Sequence, residues 1–130
     1  ITVASAQQRP AARPATPAPQ APAQPPPEPP APPYEVPMLR LVEIMGAMSF
    51  LEKLCNVSDG AQWREKTQTL IDAEDPHPAR RERLAGAFNR GFNGYQDTYR
   101  TCTPSATATM EKFHTEGAAL AADMASRYGG

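Results

Sequence analysis

The prolines of this chain are concentrated at one end: 13 of the 16 fall within the first 37 residues. Proline lacks a backbone N–H and obstructs the preceding helical turn, so a segment rich in Pro, Ala and Gln builds neither a helix nor a buried core. The capacity to fold therefore lies in the 97 residues from Tyr34 to Gly130. That length suffices for one small domain and is too short for two cores.

The proline-rich end divides into two parts. Residues 1–6 read ITVASA, and Ala4-Ser5-Ala6 has the small-x-small form of a signal-peptidase site, which predicts the end of a signal peptide. Residues 7–37 alternate Pro with Ala, Gln and Thr and favour a hydrated polyproline II conformation. We expect a disordered spacer there, rather than a ligand for proline-binding domains, and a helical domain at 38–130.

The charge and hydropathy of the chain argue against a nucleic-acid partner and against a membrane span. The net charge is −1, made of +1 in the proline-rich arm and −2 in the body. A nucleic-acid-binding protein usually carries a clear basic excess, so no nucleic acid is expected. No apolar run reaches the roughly 18–20 residues that span a bilayer, so no membrane span is expected.

Apolar residues recur at helical spacing in four segments after Met38, and no segment alternates with a period of two. The apolar arc of the first segment is broad, which is typical of a helix packed on more than one side. Turn signals separate the segments: Asp59 with Gln62 resembles a capping box, and Pro78 and Pro104 suit first helical turns. We predict an all-α fold, a small antiparallel bundle of four helices of roughly 18, 15, 24 and 25 residues.

Three glycines, Gly86, Gly91 and Gly94, lie inside the third predicted helix. Each costs about 1 kcal/mol of helix stability relative to alanine. We therefore expect at least one of them to have a structural role. Gly91 falls on the inward face, and we expect it to permit a close crossing of two helices. A kink, or a ligand pressed against the backbone, is the alternative.

The chain has two cysteines, Cys55 and Cys102. They fall at the ends of the first and third predicted helices, on the inward faces. In an up-down-up-down bundle these helices run parallel, so their C-terminal ends meet. We therefore predict a structural disulfide, worth roughly 4 kcal/mol in the chain-entropy model, against the alternative of two buried thiols. Because disulfides persist in oxidising compartments, the pair favours a periplasmic location.

Groups suited to catalysis are sparse. Glu111 and His114 match one half of a di-metal helix motif, but the other half is missing, so no metal is assigned. No nucleophile elbow, phosphate loop or zinc spacing is present, and we assign no catalytic residue and no cofactor. Glu52 lies on an apolar helix face and is the best candidate for a wall-cleaving acid. We favour a structural explanation over this role: a pairing with an arginine near the bundle end, such as Arg100, or a local bend that turns Glu52 outward.

The outward face of the third helix carries a row of polar side chains, which are Asn89, Asn93, Gln96 and Arg100. Amide and guanidinium groups in a line are suited to binding sugars, peptides or carboxylates. Such a row is also typical of a solvated helix face. We take these four residues as the candidate binding site.

Two motifs in the body are long enough to be specific: Phe-Asn-Arg-Gly-Phe at 88–92 and Tyr-Arg-Thr-Cys-Thr-Pro at 99–104. With Trp63-Arg64 and the run 70–74, they make the chain resemble an uncharacterised family of alphaproteobacterial exported proteins. The resemblance extends over nearly all of the body and leaves out the arm. It implies export and an all-helical domain of unknown function, and it supplies no catalytic residue.

These observations favour a non-enzymatic periplasmic interaction module in cell-envelope or peptidoglycan maintenance. We expect its partner to be an envelope protein, a peptidoglycan-remodelling enzyme or a wall component, bound through the polar face of the helix at 78–102. A small peptidoglycan-cleaving enzyme that uses Glu52 is one alternative. Another is a carrier of apolar ligands, whose cavity would be lined by the methionines of the first helix, Met38, Met45 and Met48.

Overall fold

The computed structural model describes residues 26–129, together with Thr2 and Ala4. Within these residues the chain forms four α-helices and no strand, which confirms the predicted all-α bundle. The predicted signal-peptide end and the spacer at 7–25 lie outside the described residues, Thr2 and Ala4 excepted. The helices are α1 (Glu35–Leu54), α2 (Ala61–Glu74), α3 (Pro78–Thr98) and α4 (Pro104–Tyr128).

Two helix bounds differ from those expected. α1 begins at Glu35 rather than Met38, because Pro37 lies in the first turn, where a backbone N–H has no intrahelical acceptor to lose. α3 ends at Thr98 and does not reach Cys102. Tyr99 has extended backbone angles, and its hydroxyl lies 2.7 Å from the Ser105 hydroxyl at the start of α4. This contact draws the chain away from the α3 axis.

The starts of α3 and α4 are capped as the two prolines predict. The His77 Nδ1 accepts from the backbone N–H of Ala79 at 3.1 Å, and the Thr103 hydroxyl accepts from that of Ala106 at 3.1 Å. Pro78 and Pro104 follow these caps directly. Both placements are confirmed.

The capping box predicted from Asp59 and Gln62 is wrong. The N-cap of α2 is Gly60, which has a left-handed backbone with φ of 80°. Only glycine fits there, because a Cβ would lie 2.2 Å from the backbone oxygen of Ser49 in α1. The Ser49 hydroxyl donates to the Gly60 carbonyl at 3.0 Å, so the chain enters α2 pressed against α1.

α1 is the central helix, and the other three pack around it. It runs antiparallel to α2 and α4 and in the same direction as α3. Eleven of its 20 residues are buried, which confirms the broad packing surface that its apolar arc predicts. Helical spacing places Ala47 opposite the apolar arc of α1, but Ala47 is also buried. Among the described residues, the backbones of α2 and α4 flank α1 without approaching each other.

Glycines bring α1 and α3 into contact. A Cβ on Gly91 would lie 1.9 Å from the Glu43 backbone oxygen, and a Cβ on Gly46 would lie 2.0 Å from the Phe88 oxygen. The expected role of Gly91 in a close helix crossing is therefore confirmed. Gly94 has open space around it, so the same argument does not apply to it.

A buried ionic cluster joins the start of α1 to α2 and α3. The Arg80 guanidinium donates to Glu35 and to Glu74, each at 2.9 Å, and the Tyr34 hydroxyl donates to Glu74 at 2.7 Å. Arg80 is only 8% exposed, and a buried charge needs such partners. The hydrogen bond to Glu74 also raises the pKa of the Tyr34 hydroxyl.

Residues 26–32 have no regular secondary structure, as expected of the arm, but they contact the body near the turn between α2 and α3. The His77 Nε2 lies 2.7 Å from the Pro26 carbonyl oxygen. Because His77 accepts at Nδ1, Nε2 carries the proton and donates. Glu28 forms an ion pair with Arg83 of α3. The last residues before α1 are thus fastened to the body.

Candidate functional site

The predicted Cys55–Cys102 disulfide is confirmed, with the two Cα atoms 5.0 Å apart. Cys55 caps the end of α1, while Cys102 lies exposed in the loop between α3 and α4 rather than on an inward helix face. The bond ties the C-terminal end of α1 to the chain that leaves α3. Such a link between two elements is a structural role.

The four predicted binding residues are all exposed, but they do not form one helical row. Asn89, Asn93 and Gln96 lie along α3, while Arg100 lies in the loop beyond its end. Within the described residues, none of these four side chains forms a hydrogen bond or an ion pair with the rest of the chain. They remain a predicted contact surface without a pocket that joins them.

Glu52 is buried and fully engaged. Its Oε2 accepts from the Trp63 indole N–H at 2.5 Å, and the Gln62 amide nitrogen and the Ser58 hydroxyl lie 3.4 Å away. The expected pairing with Arg100 is wrong, because the loop that carries Arg100 leads to α4 whereas the carboxylate faces α2. Glu52 therefore holds the indole ring of Trp63 in one orientation.

The two histidines are far apart. His77 caps α3, and His114 lies exposed on α4. No three His, Cys, Asp or Glu side chains in the described part of the chain are grouped so that they could hold a metal ion. His114 instead lies at the edge of a groove between α2 and α4.

This groove lies over α1, between α2 and α4, and encloses about 360 Å³. α1 forms its floor, and the two flanking helices form its walls. We call this part the indole half, because Trp63 lines it. Its floor residues are Leu41, Ile44, Met45 and Met48; its wall residues are Trp63, Lys66 and Leu70 on α2, and Phe113, His114, Gly117, Ala118 and Ala121 on α4.

A second cavity of about 280 Å³ continues the groove toward the start of α1. Tyr34 and Tyr128 line it, with their ring centroids 5.5 Å apart, and we call it the tyrosine half. Both halves share Leu41, Leu70 and Ala121 as lining residues. From Met38 to Met48 the floor measures about 15 Å, at 1.5 Å per helical residue.

The groove is open because the wall that α4 presents consists of small side chains. Gly117, Ala118 and Ala121 occupy the positions where larger residues would reach across to α2. A Cβ on Gly117 would meet Ile44 at 3.4 Å, which is ordinary contact, so nothing in the backbone packing demands glycine there. Beside these small residues on α4, Leu41 of α1 and Trp63 and Leu70 of α2 are only half-buried.

The opposite side of α4 is closed. The Tyr95 ring packs edge-on against Phe113 at 5.3 Å, and the Arg40 guanidinium donates to Glu116 at 2.6 Å. This hydrogen bond holds the pKa of the Glu116 carboxyl below its ordinary value and raises the pKa of Arg40. Aromatic side chains therefore meet between α3 and α4, whereas a cavity of about 360 Å³ lies between α2 and α4.

The indole half has two polar lining residues, and both are basic. The Lys66 ammonium lies 5.3 Å from the centre of the Trp63 ring, on the α2 wall. His114 lies on the α4 wall. Neither side chain has an ion-pair or hydrogen-bond partner within residues 26–129. The indole half thus combines an apolar floor with basic groups on both walls.

Part of this site could be predicted. Met38, Met45 and Met48 line the groove, as the apolar-carrier alternative predicts. Lys66 and Ala118 were missed, because helical periodicity places them beside the apolar stripes rather than in them. The available signal was the run of small residues on α4, opposite a tryptophan and a leucine on α2.

Residues 33–128 match a protein family described as "Protein of unknown function (DUF2385)". No curated protein and no solved structure matches the chain. The matched range begins two residues before α1 and ends with α4, so it includes the floor and both walls of the groove. No helix in the described part of the chain has both the length and the apolar character that crossing a membrane requires.

Proposed function

The chain belongs to the DUF2385 family, and we propose that its helical domain is a non-enzymatic binding module whose apolar ligand occupies the groove between α2 and α4. The observation that carries this proposal is the uncovered apolar lining of a cavity of about 360 Å³, continuous with a second of about 280 Å³. Ligand pockets are typically apolar concavities of about 300–1,000 Å³. The apolar-carrier alternative therefore becomes the leading function.

The methionines support this assignment. Four of the five in the chain line the groove: Met38, Met45, Met48 and Met124. Methionine side chains are flexible and polarisable, so they adapt to ligands of varied shape. Met110, the fifth, packs in the core between α1 and α4. A groove floored by methionines is suited to a class of apolar ligands rather than to a single rigid one.

We place the module in the periplasm, where it serves the cell envelope. The disulfide supports this location, because such bonds persist in oxidising compartments. The predicted signal-peptidase site at 4–6 supports it as well. Glu52 is engaged by Trp63, which favours a positioning role over the wall-cleaving acid considered from the sequence.

Trp63 is the only tryptophan in the chain, and it lines the groove, so its fluorescence tests the proposal directly. We expect dodecanol, a neutral apolar ligand, to shift the emission of the full chain saturably. Ala118→Phe places a ring in the groove and should abolish the response. Ala119→Phe is the matched control, because Ala119 is exposed and does not line the groove.

Either of two results would contradict the proposal. One is the absence of a saturable response to dodecanol in the wild-type chain. The other is an equal response in Ala118→Phe and Ala119→Phe, because a ligand bound elsewhere would not distinguish the two variants.

The polar face of α3 supports a second candidate function, the binding of an envelope protein or a wall-remodelling enzyme. Asn89, Asn93, Gln96 and Arg100 are exposed and unengaged within the described residues. A photocrosslinker placed at Asn93 in intact cells should capture one defined partner, and Arg100→Ala should reduce the yield. An unchanged yield in Arg100→Ala would show that this surface is not the contact.

A further inference from the structure

We propose that the ligand of the groove is a single acyl chain that ends in a carboxylate, with the carboxylate held between Lys66 and His114. This inference rests on the proposed function, since it names the class of ligand that the groove takes. It adds a direction as well: the head lies in the indole half, and the chain runs toward the tyrosine half.

The charge at the two ends of the groove sets this direction. Lys66 and His114 are the polar lining residues of the indole half, and the lining there contains no acid. In the tyrosine half the charged lining residue is Glu74, which already accepts from Arg80 and Tyr34. An anionic head is therefore attracted at the first end and repelled at the second.

The Lys66 ammonium lies over the indole ring of Trp63, which holds it in place. Trp63 donates its indole N–H to the buried Glu52, which fixes the ring, and the ammonium lies 5.3 Å above that ring. A cation over an indole face is held by the quadrupole of the ring but keeps its hydrogen-bond donors available. A carboxylate that rises out of the groove meets these donors.

His114 offers a donor from the opposite wall. An imidazole carries an N–H in either protonation state, so the His114 ring offers a donor to a carboxylate. With histidine counted as neutral, Lys66 is the one formal positive charge among the lining residues of the indole half. One charge matches one carboxylate, which favours a fatty acid over a head group with two negative charges.

The shape of the groove favours a ligand with a single acyl chain. Its floor is a single helix, and its width is the gap between the two walls. Along this floor the lining residues from Met48 to Met38 are all apolar over about 15 Å, and Leu41 is the one among them that is only half-buried. Each added methylene in this channel should tighten binding about fourfold until the tyrosine half is full.

Three ligands of equal chain length test the head group: dodecanoate, dodecanol and dodecylamine, each titrated against the full chain by Trp63 fluorescence at low salt. We expect dodecanoate to bind about fivefold more tightly than dodecanol, and dodecylamine to bind most weakly. The preference for the acid should shrink in 0.5 M salt, because charges near the surface are screened.

Lys66→Gln should remove the preference for the acid, so that this variant binds dodecanoate no more tightly than dodecanol. Lys112→Gln removes the same charge from a position on α4 that does not line the groove, and it should keep the preference. Both lysines are exposed, so both variants should fold.

The possible failures are distinguishable. If none of the three ligands binds, the proposed function fails together with this inference. If all three bind equally, or dodecylamine binds most tightly, the groove remains a ligand site and the carboxylate assignment is overturned. A preference that survives in Lys66→Gln and disappears in Lys112→Gln would also overturn it.

Discussion

The two sides of α1 differ in how they are covered. On one side α1 meets α3 with backbones in contact through Gly46 and Gly91, and the disulfide fastens the ends of the pair. On the other side α2 and α4 stand apart, and the groove between them leaves Leu41 of α1 and Trp63 and Leu70 of α2 only half-buried. We refer to these as the closed side and the open side.

The two sides therefore differ in how much each contributes to the stability of the folded domain. The closed side contains the features that resist change: glycines that admit no Cβ, a cross-link and buried aromatic contacts. On the open side, apolar side chains line a groove. Covering them further would increase the free energy of unfolding. An uncovered apolar surface within an otherwise well-packed domain is the usual mark of a binding site.

The largest effect should come from removing the cross-link on the closed side. The double substitution Cys55→Ser, Cys102→Ser should lower the free energy of unfolding by roughly 4 kcal/mol, because the unfolded chain regains the entropy of an open loop. Urea denaturation of the oxidised chain and the variant measures this loss. An unchanged urea midpoint would contradict a stabilising role for the bond.

A smaller loss should follow from a single methyl group at the helix crossing. Gly91→Ala places a Cβ 1.9 Å from the Glu43 backbone oxygen, so α1 and α3 must move apart at a cost of about 3 kcal/mol. Gly94→Ala, on the same helix, meets nothing and should gain up to about 1 kcal/mol from helix propensity. Equal stabilities of the two variants would show that the crossing is not close.

On the open side, a larger side chain should raise the free energy of unfolding rather than lower it. Ala121→Leu extends into the groove and should raise the free energy of unfolding by about 1 kcal/mol, because it covers exposed apolar surface. The same substitution at Ala122, which is exposed and outside the lining, should have little effect. A loss of stability in Ala121→Leu would mean that the groove is already filled.

The smallest effect concerns pH. The pKa of Glu116 is lowered by Arg40, so the ion pair stabilises the folded state above about pH 4.3 and its contribution disappears as the pH falls through the lowered value. Both side chains are about one-third or more exposed, which limits the contribution to about 0.5 kcal/mol.

Glu116→Gln should therefore lose that amount at pH 7, and its difference from the wild type should shrink toward pH 3 as the pH falls through the lowered pKa of Glu116. Glu111→Gln serves as the control, since Glu111 is exposed and has no ion pair within the described residues. Thermal unfolding at both pH values would measure the difference. A loss that is the same at pH 3 and pH 7 would exclude the ion pair as its cause.

The closed side could be predicted from the sequence better than the open side. Proline positions gave the starts of α3 and α4, cysteine positions gave the disulfide, and Gly91 on an apolar face gave the crossing. Each of these features is local or pairwise, so spacing along the chain suffices. The end of α3 was not predicted, because it depends on a contact between Tyr99 and Ser105.

The groove depends on three helices at once. Phe113 on α4 is buried, whereas Trp63 on α2 is half-buried and Ala121 on α4 is exposed. Helical periodicity within each helix does not show that the facing surfaces of α2 and α4 are too far apart to meet. The separation follows from how α3 occupies one side of α1 and how α2 is held at Gly60. Spacing within a single helix contains no information about such an arrangement.

The methionine methyl groups allow the most direct test of the open side as a ligand site. In a chain labelled with ¹³C-methyl methionine, dodecanoate should shift the signals of Met38, Met45, Met48 and Met124, which line the groove. The signal of Met110, in the core between α1 and α4, should remain in place. No shift at saturating ligand, or shifts of equal size in all five signals, would contradict the account.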